Sequence, residues 1–209
     1  MVTGAPGEHA VHMGDTYRGA ARALQDRFDT RRLADRLHEK FRAAWTLEDV
    51  RPFVESRSMF FLATADGDGR PQCSYKGGAP GFVRVLAPME LCFPNYDGNG
   101  MYLSMGNLVE NPAIGMLFID FVDPSRVRVS GRATISDDPD LVGSYPGAQF
   151  VVRVAVDEVF PNCPRYVHRM DVAEQSVFVP AADGSAPVPD WKRAPWACDV
   201  LPAGDPARD

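Results

Sequence analysis

FFLATADGDGRPQCSYKGG (60–78), FPNYDGNGMYLSMGN (93–107) and AIGMLFIDF (113–121) belong to one stretch, Phe60 to Phe121, whose reading decides the fold. Phe60, Phe61, Leu62 and Ala63 make an apolar run of strand length, closed by the turn signal Asp66-Gly67-Asp68-Gly69. Gln72 to Lys76 follows at hairpin distance, and Gly77, Gly78, Pro80 and Gly81 stop it. A strand over Phe82–Leu86 turns at Ala87-Pro88 into another over Glu90–Phe93. Pro94 to Gly100 then brings together Asn95, Asp97, Asn99, Gly98 and Gly100, residues that tolerate left-handed backbone angles. That loop opens onto a helix expected over Met101–Glu110, and a loop-to-helix junction of this kind can aim several N–H groups at an anion.

Downstream, Asn111-Pro112 ends the helix and Ala113–Phe121 reads as a buried strand. Over Arg126–Ile135, Val127, Val129, Gly131 and Ala133 alternate with Arg126, Arg128, Ser130 and Arg132, a period of two with one apolar and one basic face. After a helical turn at Leu141–Tyr145, Phe150–Val156 is the last clear strand, and VFPNCPRYVHRM (159–170) reads as an ordered loop. Strands at regular intervals with a single inserted helix predict a mainly β protein, a small antiparallel barrel; strands and helices do not alternate, which argues against a doubly wound parallel sheet.

The flanks are of different character. Residues 1–17 are aperiodic and read as a mobile arm. Residues 18–57 read as a helical segment: Leu24, Phe28, Leu37 and Phe41 have helical spacing, broken near Asp29-Thr30. Eight Arg/Lys against four Asp/Glu over Arg18–Arg42 point to a salt-bridged, solvated face. A further helix is expected to start with Asp49 as its N-cap and Pro52 at its third position. The barrel is assigned to 58–170, and 171–209 to an extended tail in which Trp191 and Trp196 are expected to dock, on the same subunit or on a partner.

Composition excludes several classes. A net charge of −6 on 209 residues argues against a general nucleic-acid binder. No run of 18 apolar residues exists to span a membrane, and the N-terminus lacks a secretory pattern, so a cytoplasmic location is expected. Cys73, Cys92, Cys163 and Cys198 are scattered without CxxC spacing, so no metal site is expected; Cys73 and Cys92 fall on strands, where a thiol acts as apolar filler. Neither GxGxxG nor GxxxxGK[ST] is present.

FFLATADGDGRPQCSYKGGAPGFVRV (60–85), FPNYDGNGMYLSMGNLVENP (93–112), LFIDF (117–121) and VRVSGRA (127–133), in that order and spacing, resemble the pyridoxamine 5′-phosphate oxidase-like flavoproteins. More narrowly, they resemble a subgroup of predicted flavin-nucleotide-binding split-barrel proteins, as do LQDRFDTRRLADRL (24–37) and the tail tryptophan segment. The resemblance implies a split β-barrel of the FMN-binding type and a homodimer holding FMN in two clefts between subunits. It also implies that the strand Cys73-Ser74-Tyr75-Lys76 supplies ring contacts and part of the phosphate site, with Lys76 as the cation and Ser74 as a donor. Asn95 and Tyr96 take the place of family contacts to the ring; Asn99, Gly100 and Met101 belong to the anion-facing loop, and Arg126 and Arg128 to a strand that reaches the flavin. Trp191 of the tail completes the cofactor set. The chain departs from the family twice. Tyr102, Leu103 and Ser104 stand where a basic pair is usual, and the tail lacks the Arg-Leu-His segment that holds substrate phosphate in the oxidases proper.

The expected activity is therefore an FMN-dependent oxidoreductase acting on an unidentified small molecule. Alternatives are a non-catalytic flavin carrier, or a barrel that holds haem or a deazaflavin. No catalytic acid or base is assigned; Tyr96, His168 and Arg193 are candidates only as proton or hydrogen-bond donors.

Overall fold

The structure, a computed structural model, describes residues 17, 19–42, 45–171 and 174–208. The arm expected over 1–17 lies, apart from Tyr17, outside the described residues. The chain divides into two compact units, Met1–Ala44 and Trp45–Asp209. The division falls ahead of the third helix rather than at residue 58.

In the first unit, α1 (Gly19–Arg27) and α2 (Arg31–Leu37) are separated where Asp29 takes a positive φ of 52°. Arg31 grips the Asp26 carboxylate through Nε and a terminal nitrogen at 2.5 and 2.6 Å, and Arg22 reaches Asp35 at 2.6 Å. These pairs are what the basic excess was expected to make.

The second unit is built on seven antiparallel strands. They are β1 (Met59–Ala65), β2 (Pro71–Gly77), β3 (Arg84–Ala87), β4 (Glu90–Tyr96), β5 (Ala113–Asp120), β6 (Ser125–Ser136) and β7 (Ala148–Asn162). Their order in the sheet is β2-β1-β5-β6-β7-β4-β3. Four steps separate β1 from β4, about 19 Å in a flat sheet. Yet the rings of Phe60 on β1 and Phe93 on β4 lie 5.0 Å apart, with Phe118 of β5 at 5.2 Å and Phe82 at 5.8 Å from Phe60. The sheet is therefore rolled around an aromatic knot, and because no ladder joins β2 to β3 it stays open along one seam. That is a split barrel.

The roll has a local cause in β6 and β7. Gly131 pairs with Val156 while Ser130 pairs with Glu158, leaving Asp157 as the extra residue of a bulge. A Cβ on Gly131 would lie 2.3 Å from the Ala155 carbonyl oxygen, so only glycine permits this approach. Past the bulge, β7 continues to Asn162, where Val156 had been the expected end. Pro161 is tolerated because β4 stops pairing at Ala155, and beyond that point β7 has β6 as its single neighbour.

α3 (Leu47–Glu55) buries Leu47, Val50 and Val54 in the barrel core. Thr46, not Asp49, is its N-cap: Asp49 stands at the third helical position, and its carboxylate accepts from the Thr46 N–H (2.8 Å) and hydroxyl (3.0 Å). Pro52 consequently falls deeper in the helix than expected, at the cost of one backbone hydrogen bond. α3 also protects the outer edge of β3, since Glu55 accepts from the Val85 N–H (2.9 Å) and Arg51 donates to the Val85 carbonyl (2.6 Å). α4 (Leu103–Glu110) packs Met105 and Leu108 into the same core and ties down β1 through Asn107 Nδ2, which donates to Thr64 Oγ1 at 3.0 Å. α5 (Pro139–Gly143) joins β6 to β7 and is capped by Asp138. Among the described residues no helix is long and apolar enough to cross a membrane.

Candidate functional site

The seam of the barrel is a cleft of about 410 Å³. One wall is β2, with Gln72, Ser74 and Lys76 on one face by strand alternation. The other is the end of β4 with Asn95 and Tyr96, and the loop from Gly98 to Tyr102 with the first turn of α4 closes it. A hydrogen bond from Ser104 Oγ to Ser74 Oγ (3.1 Å) links helix to strand across the floor. Of the residues expected at a cofactor site, Cys73, Ser74, Lys76, Asn95, Tyr96, Asn99, Gly100 and Met101 all line this cleft.

The loop has a built shape. Gly100 has φ +72° and Tyr102 φ +48°, so two residues within three are left-handed. The helix therefore begins at Leu103, two residues later than the spacing suggested. Asn99 Oδ1 accepts from the Met101 N–H at 3.0 Å; its side chain holds the turn and withdraws that N–H from any ligand. The Gly98, Asn99 and Gly100 amides make no hydrogen bond among the described residues. Gln149, which nothing in the sequence singled out, fastens the β4 wall to the closing loop: its Oε1 accepts from Asn95 Nδ2 and from the Tyr102 hydroxyl, each at 3.0 Å. Gln149 is the extra residue of a second bulge, between Asn95, paired with Phe150, and Tyr96, paired with Ala148. Such a bulge re-aims a side chain, and register of this kind is not readable from one strand alone.

Lys76 dominates the electrostatics. It is the one formally charged residue lining the cleft, and it has no ion pair or hydrogen bond among the described residues. Burial pushes its ammonium pKa below the ordinary lysine value. The same cause raises the Tyr96 phenol. A half-buried cation without a counter-charge is a place for an anion to bind.

Four of the expected residues lie elsewhere. Tyr75 alternates to the opposite face of β2 and lines a separate cavity of about 450 Å³; Trp191 lines another of about 640 Å³. Arg126 and Arg128 line none of these three cavities. Arg126 Nε donates to the Cys163 carbonyl at 2.9 Å, and Arg128 is exposed, since the outward face of β6 turns away from the seam. His168 and Arg193 are likewise exposed and outside the three. Cys92 is the apolar filler it was expected to be, buried with its Sγ 3.2 Å from the Tyr145 hydroxyl, but Cys73 is exposed at the cleft.

The tail, in which Trp191 and Trp196 were expected to dock, is anchored by an ion pair. Lys192 is 4% exposed, and its Nζ donates to Asp97 Oδ2 (2.5 Å) and Asp205 Oδ2 (2.7 Å), joining the tail to the residue that follows Tyr96. Burial works against this ammonium, but the hydrogen bonds it donates to Asp205 and Asp97 outweigh it and hold its pKa above the ordinary value. Trp191 and Trp196 stack on each other, centroids 5.9 Å apart and planes 14° from parallel.

A rolled, seven-stranded sheet with a cleft along its open seam defines a split barrel. The chain belongs to the pyridoxamine 5′-phosphate oxidase family, whose model matches residues 46–170, from the N-cap of α3 to just past β7. Similar solved structures include a proposed pyridoxamine 5′-phosphate oxidase from Lactobacillus delbrueckii (24% identity, 57% of this chain and 98% of that one, TM-score 0.45). Others are the haem storage protein HutZ from Vibrio cholerae (16%, 56% and 94%, 0.43) and a FAD-binding protein from Mesorhizobium loti (14%, 55% and 91%, 0.40). No curated protein matches the chain.

Proposed function

We propose that the seam cleft binds FMN and that the protein is an FMN-dependent oxidoreductase acting on a small molecule. The observation that carries this reading is Lys76, a half-buried ammonium with no counter-charge in a cleft that no carboxylate lines. A phosphate fits that cation, with Ser74 and the Gly98–Gly100 amides as further donors. Tyr96, Met101 and Leu103 provide apolar surface for a flat ring, and Asn95 and Gln72 provide amides for its polar edge. FMN, when bound, supplies the redox chemistry; the residues named here bind it, orient it and exclude water. Met101, Tyr102, Leu103 and Tyr75 are exposed around this seam, which supports a second copy of the chain closing the cleft in a homodimer.

Among the described residues the wall holds neither a histidine nor a carboxylate, which favours, as a second reading, a flavin carrier without turnover. The absorption spectrum of freshly purified protein tests the cofactor. An oxidised-flavin spectrum supports the proposal, whereas a Soret band or a single near-ultraviolet band assigns the barrel to haem or a deazaflavin. Steady-state oxidation of NADH or NADPH separates enzyme from carrier, since only the enzyme passes more than one flavin equivalent of electrons. Sedimentation checks the dimer, and a 22.9 kDa species alone at micromolar concentration would remove it.

A further inference from the structure

We propose that the chamber enclosed by the C-terminal tail is a second ligand site, which takes a flat aromatic molecule that is neutral or cationic. The chamber measures about 640 Å³ and shares Tyr96, Gly98 and Asn99 with the seam cleft, so its occupant lies beside whatever the cleft holds. Phe178, Pro180, Pro187, Pro189, Trp191 and Pro202 line the side of it that the tail contributes. Prolines have no N–H, so the tail side of this wall offers ring surface and carbonyl oxygens; the free amides of Gly98 and Asn99 lie on the side shared with the seam cleft. Its charges point the same way. Lys192 donates to Asp97 and Asp205 at once, leaving the three with a net charge of −1 and no ammonium to offer an anion. The Trp191 indole, steadied by its stack on Trp196 and with the Lys192 ammonium 5.9 Å from its ring centroid, lends the chamber aromatic surface.

The two chambers thus have opposite preferences: the cleft carries one unpaired positive charge, the tail chamber a surplus negative one. The tail residues from Phe178 onward lie beyond the stretch matched by the family model, so one side of the chamber falls inside that stretch and the other outside it. Its use as the substrate site rests on the flavin reading; its binding preference does not. A phosphorylated substrate is disfavoured there, and an aromatic amine or neutral heterocycle is favoured.

Calorimetric titration of the full chain with naphthylmethylamine, naphthylmethanol, naphthoate and naphthyl phosphate reads that preference directly. The amine and the alcohol are expected to bind, and both anions to bind at least about tenfold more weakly. Phe178→Ala and Trp191→Ala are each expected to weaken the amine by about fivefold or more, and Lys76→Ala to leave it unchanged. Anions that bind as well as the amine, no binding by the amine, or indifference to both aromatic substitutions would each overturn the proposal. FMN titrated into the Lys76→Ala and Phe178→Ala proteins keeps the two sites apart. FMN binding that survives in Phe178→Ala and weakens in Lys76→Ala supports the cleft whatever the naphthyl series shows. Amine binding without any FMN binding removes the flavin reading and leaves the second site standing.

Discussion

Lys76 and Lys192 lie on either side of the short segment that runs from Tyr96 into the loop, and they have opposite surroundings. Lys192 is buried between two carboxylates, so its charge is already neutralised within the fold. Lys76 is half-buried on β2 with no carboxylate partner among the described residues, so its charge is left for a ligand. The direction of each pKa records the difference: the partners of Lys192 raise its value, and burial lowers that of Lys76. A buried cation that is fully paired holds structure together, whereas one that the fold leaves unpaired destabilises the free protein and favours binding.

The strongest test of this contrast is Lys192→Met. It leaves the buried Asp205 carboxylate without its partner and should cost about 3 kcal/mol, the low end for a broken buried pair because Asp97 stays largely in water. In a chain of this size that lowers the melting temperature by about 6–12 °C. An unchanged melt would show that Lys192 is not a structural clamp. Lys76→Ala should do the reverse, weakening FMN binding by about 1.5–3 kcal/mol, the range for a hydrogen bond to a charged group. The apo-protein should melt at the wild-type temperature or above it. Fluorescence quenching and a thermal scan measure the two effects, and wild-type FMN affinity would return Lys76 to the role of an edge-strand charge.

Smaller effects are expected in the loop. Space around Gly100 is open, so Gly100→Val is opposed by its φ of +72° rather than by a clash, and should cost about 1–2 kcal/mol of apo-stability. Asn99→Asp keeps an oxygen to accept from the Met101 N–H while adding a negative charge beside the proposed phosphate. It should weaken FMN by about 1 kcal/mol or less at low salt, and the loss should shrink as salt is raised. Affinity that ignores both substitutions would move the phosphate away from this loop.

The smallest effect, and the sharpest in sign, is alkaline pH. Lys192, with its folded pKa raised, contributes stability that is complete below the ordinary lysine value of 10.5 and is lost as pH rises through the folded pKa. Lys76, with its folded pKa lowered, imposes a cost that is present below that folded value and is relieved as pH climbs toward 10.5. Subtracting each variant's melting curve from the wild type across this range should give slopes of opposite sign. FMN should abolish the Lys76 slope alone. Slopes of the same sign would end the comparison.

Much of the cleft was legible because strand periodicity and turn chemistry are local. Ser74 and Lys76 share a face by the two-residue repeat, and the Asn/Gly run from Asn95 to Gly100 announced a left-handed loop before it was seen. Arg126 and Arg128 obey the same repeat yet face away from the seam, because the repeat tells which residues share a face and not what that face meets. Gln149 gave no signal, since its position depends on a one-residue bulge between strands far apart in the chain, and its bond to Asn95 spans 54 positions. The ion pair that anchors the tail gave no signal for a similar reason: it joins Lys192 to Asp97 across 95 positions.

By itself, then, the sequence determined the strands, the hairpin turns, the helix inserted after the fourth strand and the cationic face of β2, all consequences of interactions within a few residues. The tertiary structure alone decided how far the sheet rolls, that its seam is a cleft with an unpaired lysine, and that the tail encloses a second chamber of opposite charge. Those depend on contacts between distant segments. A bulge in one strand or a carboxylate brought from far along the chain decides whether a given lysine holds the fold together or is left for a ligand.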